Sequence, residues 1–222
     1  MSEIVSCIDR LFSFQPIIDV GITTDLSLPP VICVEGHLGI SIASTKQLFA
    51  FALTGLGKLT ASLRNSNNDN TATITNTNIN VNSSSTTTYN TITSNAIEIA
   101  SLSRALLLVK ADNVMALNFR KQLVQLGLIP LADELHLSSL SLHLHPKHAN
   151  SWHHRRWCLA RTTKFELAPS SEGCWGLGSQ EMQDEELALC HLVAHNCPKN
   201  YYTWIHRLWV LQFMDEKQVS FV

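Results

Sequence analysis

Lys199, Asn200 and Tyr201 are the residues whose types and placement most suggest chemistry. They sit between Pro198, which cannot lie inside a helix, and a run from Thr203 to Leu211 with helical apolar spacing. A lysine on such a turn, backed by the positive end of a helix, is suited to hold an anionic group. The plainer reading is that Pro-Lys-Asn-Tyr is a turn and a helix start whose lysine is solvated. Lys147 holds the same place after Pro146 and reads as a solvent-facing or interface residue.

Arg120, Arg155 and Arg207 could supply fixed positive charge. Each sits three residues after Leu117, Trp152 or Trp204, on the same helical face. An arginine there can stack on the tryptophan and pair with an acid of a neighbouring helix, for which Glu134 and Glu186 are the candidates, so these arginines are read as structural. The histidines raise a metal reading. His143, His145, His148, His153 and His154 crowd one stretch, and Cys190, His191, His195 and Cys197 crowd another. A zinc site needs four ligands converging at about 2.0–2.3 Å. Of Cys190, His191 and His195 only the two histidines share a helical face, and no Cys-x-x-Cys occurs, so packing is the favoured role. His154 and His206 stand at equivalent places, which again suggests packing.

The elements that position these residues form a repeat. Pro146 to Leu159 and Pro198 to Leu211 share Pro-Lys, a Trp, an Arg three residues later and a second Trp two after that (Trp157, Trp209). Such recurrence fixes the architecture before single residues are weighed. Each proline marks a gap between two helices. Leu137, Leu140 and Leu144 precede one gap, and Leu189, Leu192 and Val193 the other, at helical spacing. Trp152, Arg155 and Leu159 share a face of the following helix, as do Trp204, Arg207 and Leu211. Large apolar residues on two faces require two neighbours, as in a stack of helical hairpins. A worn third copy spans the helix pattern Glu98–Val109 and the run Ala116–Leu123, with Leu117 for the Trp. Between the copies Pro146–Leu159 and Pro198–Leu211, Thr162–Gln180 is rich in Gly, Ser and Pro and reads as a loop insertion.

The segment Pro198–Leu211, with its Trp, two residues and Arg, resembles the repeat of protein prenyltransferase alpha subunits. The stretches Val31–Gly39 and Ala116–Leu123 resemble the same family. The resemblance implies an all-α right-handed superhelix of helical hairpins. It also implies an alpha-type subunit that acts only with a beta subunit, transferring a farnesyl or geranylgeranyl group from its diphosphate to a protein cysteine. The beta subunit implied is that of the Rab-type geranylgeranyltransferase; it would supply the lipid pocket and the thiolate-activating zinc, with no cofactor in this chain. On this reading Lys199 stabilises charge on the leaving diphosphate and Tyr201 donates a hydrogen bond to it. The rival reading is a non-catalytic helical-repeat scaffold for protein–protein interaction. The family carries more repeats than three, so a chain truncated at its C-terminal end is expected.

The remaining chain is bounded by composition. Hydrophobic residues at 45% against 15% charged suffice to fill a core, and a net charge of −2 gives no footprint for DNA or a membrane surface. Six cysteines in a chain of 222 residues do not form the dense framework of a small secreted scaffold. No signal-peptide layout opens the sequence and no apolar run could span a bilayer, so a cytoplasmic protein is expected. Residues 1–64 are read as an N-terminal segment of short helices: Ile4–Phe14, a turn-rich connector over Asp19–Pro30, an extended Val31–Val34, and a helix Ser44–Leu63. That last helix has Thr45 as its N-cap and Leu48, Phe51 and Ala52 on one face. Residues 65–95, almost wholly Asn, Thr and Ser, are expected to be disordered, and 96–222 to hold the repeats.

Overall fold

The computed structural model describes the backbone of residues 1–65, 74–75, 78–79, 86–166 and 180–213. The chain divides into two compact units, Met1–Pro130 and Leu131–Val222.

The first unit begins with α1 (Ser2–Phe14), whose Ile4, Val5 and Ile8 form a buried stripe. Three short strands follow: β1 (Asp19–Thr23), β2 (Val31–Val34) and β3 (His37–Ser41). They form one sheet in the order β1-β3-β2, with β1 parallel and β2 antiparallel to β3. The chain is mostly helical, as the all-α expectation has it, with this small sheet added; the connector expected over 19–30 opens instead with β1. The reason is local. Val20, Ile22 and Thr23, then Val31, Ile32 and Val34, are β-branched and suit a pleated surface. Glu35 and Gly36 both have positive φ, 52° and 84°, the geometry of a two-residue hairpin turn matched to strand twist.

The helix α2 (Ile42–Asn65) extends the expected Ser44–Leu63 by two residues at each end. Thr45 does not cap it; its hydroxyl donates to the Ile42 carbonyl at 2.8 Å from inside the first turn. Leu48, Ala52 and Leu56 form its buried face at a spacing of four, whereas Phe51 is exposed. A leucine removed from water in this way contributes about 2 kcal/mol. Two-residue strands β4 (Ile74–Thr75) and β5 (Asn78–Ile79) pair antiparallel, and α3 (Thr86–Val109) begins inside the tract expected to be disordered. The rest of that tract lies outside the described residues. Gly55 lets α2 approach α3: a Cβ there would lie 2.7 Å from Leu102 Cδ1. The helix α4 (Val114–Gln125) is capped by Asn113, whose side chain accepts from the Ala116 amide at 2.9 Å. It ends in a left-handed Gly127 at φ 69°, with Gly127 N donating to Val124 O and Leu128 N to Leu123 O.

The second unit is two helical hairpins in series: α5 (Leu131–Leu144) with α6 (Ala149–Glu166), then α7 (Gln180–Asn196) with α8 (Tyr201–Leu211). Along the series α7 lies against α5 and α8 against α6, the layering of a helical-repeat fold. One cluster joins Trp152 and Leu142 to Leu189 and Val193, with Tyr202 against it. A second joins Leu159 to Leu187 and Val210. Leu192, grouped by spacing with this core, is exposed instead. Among the described residues no helix is long and apolar enough to cross a membrane.

Candidate functional site

The turns between paired helices decide which side chains reach solvent. In the second unit these turns are His145–His148 and Cys197–Asn200. Lys147 and Lys199 occupy equivalent exposed places on them, and Tyr201 at the first position of α8 is 68% exposed. Asn200, between Lys199 and Tyr201, is buried at 3%. Its Oδ1 accepts from the Tyr202 amide at 3.3 Å, which caps α8. Its Nδ2 donates to Thr203 Oγ1 at 2.7 Å and to the Pro146 carbonyl at 2.6 Å. That carbonyl also accepts from Trp152 Nε1 at 2.8 Å. Asn200 therefore ties the turn carrying Lys199 to the turn carrying Lys147, and the two lysines share one edge of the unit. What such an edge can do is receive a negatively charged group, since mobile ammonium groups stand beside helix starts.

The sequence names Asn200 beside Lys199 and Tyr201, but its reading gives a role only to the other two. The signal was available, because an asparagine four residues before the face-defining Leu117 or Trp204 is a favoured N-cap, and Asn113 holds that place in the first copy.

The arginines are not on this edge. Arg155 is buried between the hairpins and grips Glu186 of α7 with two bonds, Nε to Oε2 at 2.7 Å and Nη2 to Oε1 at 2.6 Å. Its Nη1 donates to the Leu135 carbonyl and to Ser139 Oγ, each at 2.9 Å. Arg120 repeats the last pair in the first unit, donating to the Ala100 carbonyl at 3.1 Å and Ser103 Oγ at 3.2 Å. Both arginines thus lock the second helix of a hairpin to the first. The expected arginine stack on a tryptophan occurs elsewhere, with Arg161 3.6 Å over the ring of Trp157.

The equivalent histidines face glutamates. His154 Nε2 is 2.6 Å from Glu134 Oε1, and His206 Nε2 is 2.9 Å from Glu186 Oε2. In the first copy the same two places hold Phe119 and Ile99, both buried, so an apolar pair replaces a polar one. Burial lowers the pKa of His206 from the usual imidazole value, and the Glu186 hydrogen bond offsets this only in part. Burial alone would raise Glu186, but the Arg155 charge and the bonds from His206 and Arg155 hold it below the ordinary carboxylate value. Both directions fit a neutral His206 donating to an ionised Glu186, with His206 Nδ1 buried and making no hydrogen bond to protein.

The cysteine–histidine group on α7 does not converge. Cys190 is buried and burial pushes its thiol up to about 12, whereas His191 and His195 are exposed. Among the described residues no three His, Cys, Asp or Glu side chains are grouped to hold a metal ion.

Comparison with known proteins places the second unit. The model of the protein prenyltransferase alpha subunit repeat matches residues 131–162 and 184–214, one hairpin each. The protein prenyltransferase alpha subunit repeat-containing protein 1 of Danio rerio is 36% identical over 124 residues, 52% of this chain and 29% of that protein. Its Homo sapiens counterpart is 34% identical over 132 residues, covering 57% of this chain and 33% of the relative. The form 1-B of Xenopus laevis is 33% identical over 132 residues, covering 57% and 31%. The matched stretch thus spans about a third of the length of these relatives.

Proposed function

We propose, from the two matches to the protein prenyltransferase alpha subunit repeat and the similarity to proteins named for that repeat, that this chain serves as an alpha-type subunit of a heterodimeric protein prenyltransferase. Its beta subunit, of the Rab geranylgeranyltransferase type, would hold the lipid and the zinc that activates the acceptor thiol. The reaction breaks the bond between a geranylgeranyl (or farnesyl) carbon and its diphosphate and forms a thioether to a protein cysteine. This chain's part is electrostatic. Lys199 meets the charge that develops on the departing diphosphate, and the Tyr201 hydroxyl donates to it. The observation that carries the reading is the placement of Lys199: it is exposed, beside a helix start, on a turn held by the buried Asn200. A preorganised donor of this kind is worth about 3 kcal/mol of barrier, or about a hundredfold in rate.

The second reading is a scaffold whose hairpins hold a partner without chemistry. The equivalence of Lys147 and Lys199 favours it, because a lysine present in both turns of the second unit serves the turn. The test is a pull-down with each beta subunit of the same organism, followed by prenyl transfer with Lys199→Ala and Lys147→Ala. Binding, with transfer lowered by about tenfold or more in the first variant only, supports the catalytic subunit. Binding with transfer equal in both variants rejects the lysine. Binding without transfer leaves the scaffold.

A further inference from the structure

The second unit keeps its acids on one layer and its cations on the other. The first helices, α5 and α7, carry Asp133, Glu134, Glu181, Asp184, Glu185 and Glu186 and no lysine or arginine. The second helices, α6 and α8, carry Arg155, Arg156, Arg161, Lys164 and Arg207, and their one acid is Glu166 at the last residue of α6. Arg155 is held by Glu186, and Arg161 lies over the Trp157 ring. Arg156 is different. It is half-buried, its Nε is shielded from solvent, and among the described residues its guanidinium makes no hydrogen bond and no ion pair.

The surroundings show why no acid of the unit meets it. Arg156 stands one turn after Trp152 on the same helical face. The Trp152 ring lies 4.9 Å from that of His206, which stacks at 5.4 Å on Trp209. The Arg156 charge is felt at His206, whose protonation it opposes. The guanidinium therefore lies at the seam of α6 and α8, beside aromatic rings. Glu186 is taken up by two bonds from Arg155 and one from His206. Glu166 is ten residues on from Arg156, about 15 Å along the helix. Burial lowers the Arg156 pKa from its ordinary value, so the charge is held partly out of water with nothing to offset it.

Glu186 neutralises Arg155, and His206 is neutral, which leaves one uncompensated positive charge at the seam. That charge matches a singly charged oxyanion, and the planar fork of an arginine fits the two oxygens of a carboxylate. A dianion would bring excess charge among the rings. We infer that Arg156, at the seam of α6 and α8, is a binding site for a carboxylate group of a molecule that associates with this chain. The inference depends neither on Lys199 nor on prenyl transfer. Occupancy also reaches a residue the carboxylate does not touch. The charged groups that act on His206 are Arg155 and Arg156 from α6 and Glu186 from α7, and a carboxylate on Arg156 cancels one of the two that oppose its protonation.

The test is NMR of the full chain, following the Arg156 Nε–H and the His206 ring, with sodium acetate compared with sodium chloride at equal ionic strength. Acetate is expected to shift the Arg156 signal saturably, with a Kd of about 10–100 mM. It is also expected to raise the pH at which His206 titrates, by about half a pH unit. In Arg156→Gln, His206 is expected to titrate higher from the start and to ignore acetate. Arg156→Lys keeps the charge without the fork and is expected to weaken acetate by about threefold or more. Arg161→Gln is expected to change neither signal's response. Binding of acetyl-Leu-Glu-Leu-amide about tenfold or more tighter than acetate supports the site with a protein chain as the source, and a smaller ratio supports it with a small free acid. Acetate that acts no differently from chloride overturns the inference. So does acetate that still moves His206 in Arg156→Gln, or sulfate that binds more tightly than acetate.

Discussion

Glu186 is the residue on which the second unit most depends. Three donors from two helices converge on its carboxylate, two from Arg155 and one from His206. Arginine was legible as a structural residue because it shared a face with tryptophan, and Glu186 was legible as a mate because it stood at the matching place on the partner helix. Their geometry was not. Glu186→Gln keeps the volume but leaves the buried Arg155 guanidinium facing a neutral group. The expected loss is about 3–5 kcal/mol of stability, read from the urea midpoint. A loss within about 0.5 kcal/mol, the size of a surface change, would mean the pair is screened by water.

At the scale of elements, helices and strands were unequally legible. A helix of the second unit announces itself by prolines, tryptophans and a recurring spacing. The small sheet does not, because its strands are four or five residues long and their partners are set by the fold. The turn between β2 and β3 is the element that fixes the register. Gly36→Val puts a side chain at φ 84°, where a Cβ would lie 2.9 Å from Ile18 Cγ1 and 3.0 Å from the Pro16 carbonyl oxygen. A cost of about 1–3 kcal/mol is expected. Gly57→Ala, in mid-α2 with nothing within 4 Å of the new Cβ, is expected to change stability in the opposite direction, by about 0.5–1 kcal/mol. Thermal denaturation of both variants beside the parent checks the pair, and equal shifts would show that φ at residue 36 carries no strain.

At the scale of the molecule, the buried pairs couple stability to pH. His206 sits among Trp152, Arg155 and Arg156 on α6 and Glu186 on α7, and it is harder to protonate in the folded chain than when unfolded. Below the usual imidazole value of about 6.5 the unfolded state binds the extra proton, so stability falls as pH drops through that value toward the depressed folded one. Glu186 is also lowered, so its contribution is present above the usual carboxylate value of about 4.3 and is lost as pH falls through its folded value. The two act in the same direction. The urea midpoint is expected to fall in two stages between about pH 7 and about pH 3, and His206→Gln to remove the upper stage. A midpoint that rises on acidification would contradict the neutral His206–ionised Glu186 assignment.

The sequence by itself determined the repeat, its helical pairing, the proline gaps and the likeness to the prenyltransferase alpha subunit repeat, because these rest on local spacing and on residue types that recur. It also placed Lys199 on a turn with Tyr201 close after it. Tertiary structure alone decided which recurring residues are covered. Trp152 and Trp204 occupy the same place in the same motif, yet one is fully buried and the other 46% exposed, because burial depends on the neighbouring hairpin and not on the helix that carries the residue. The same cause hid the sheet of the first unit and the Asn200 bond to Pro146, whose partners lie far apart along the chain and meet only when the units fold.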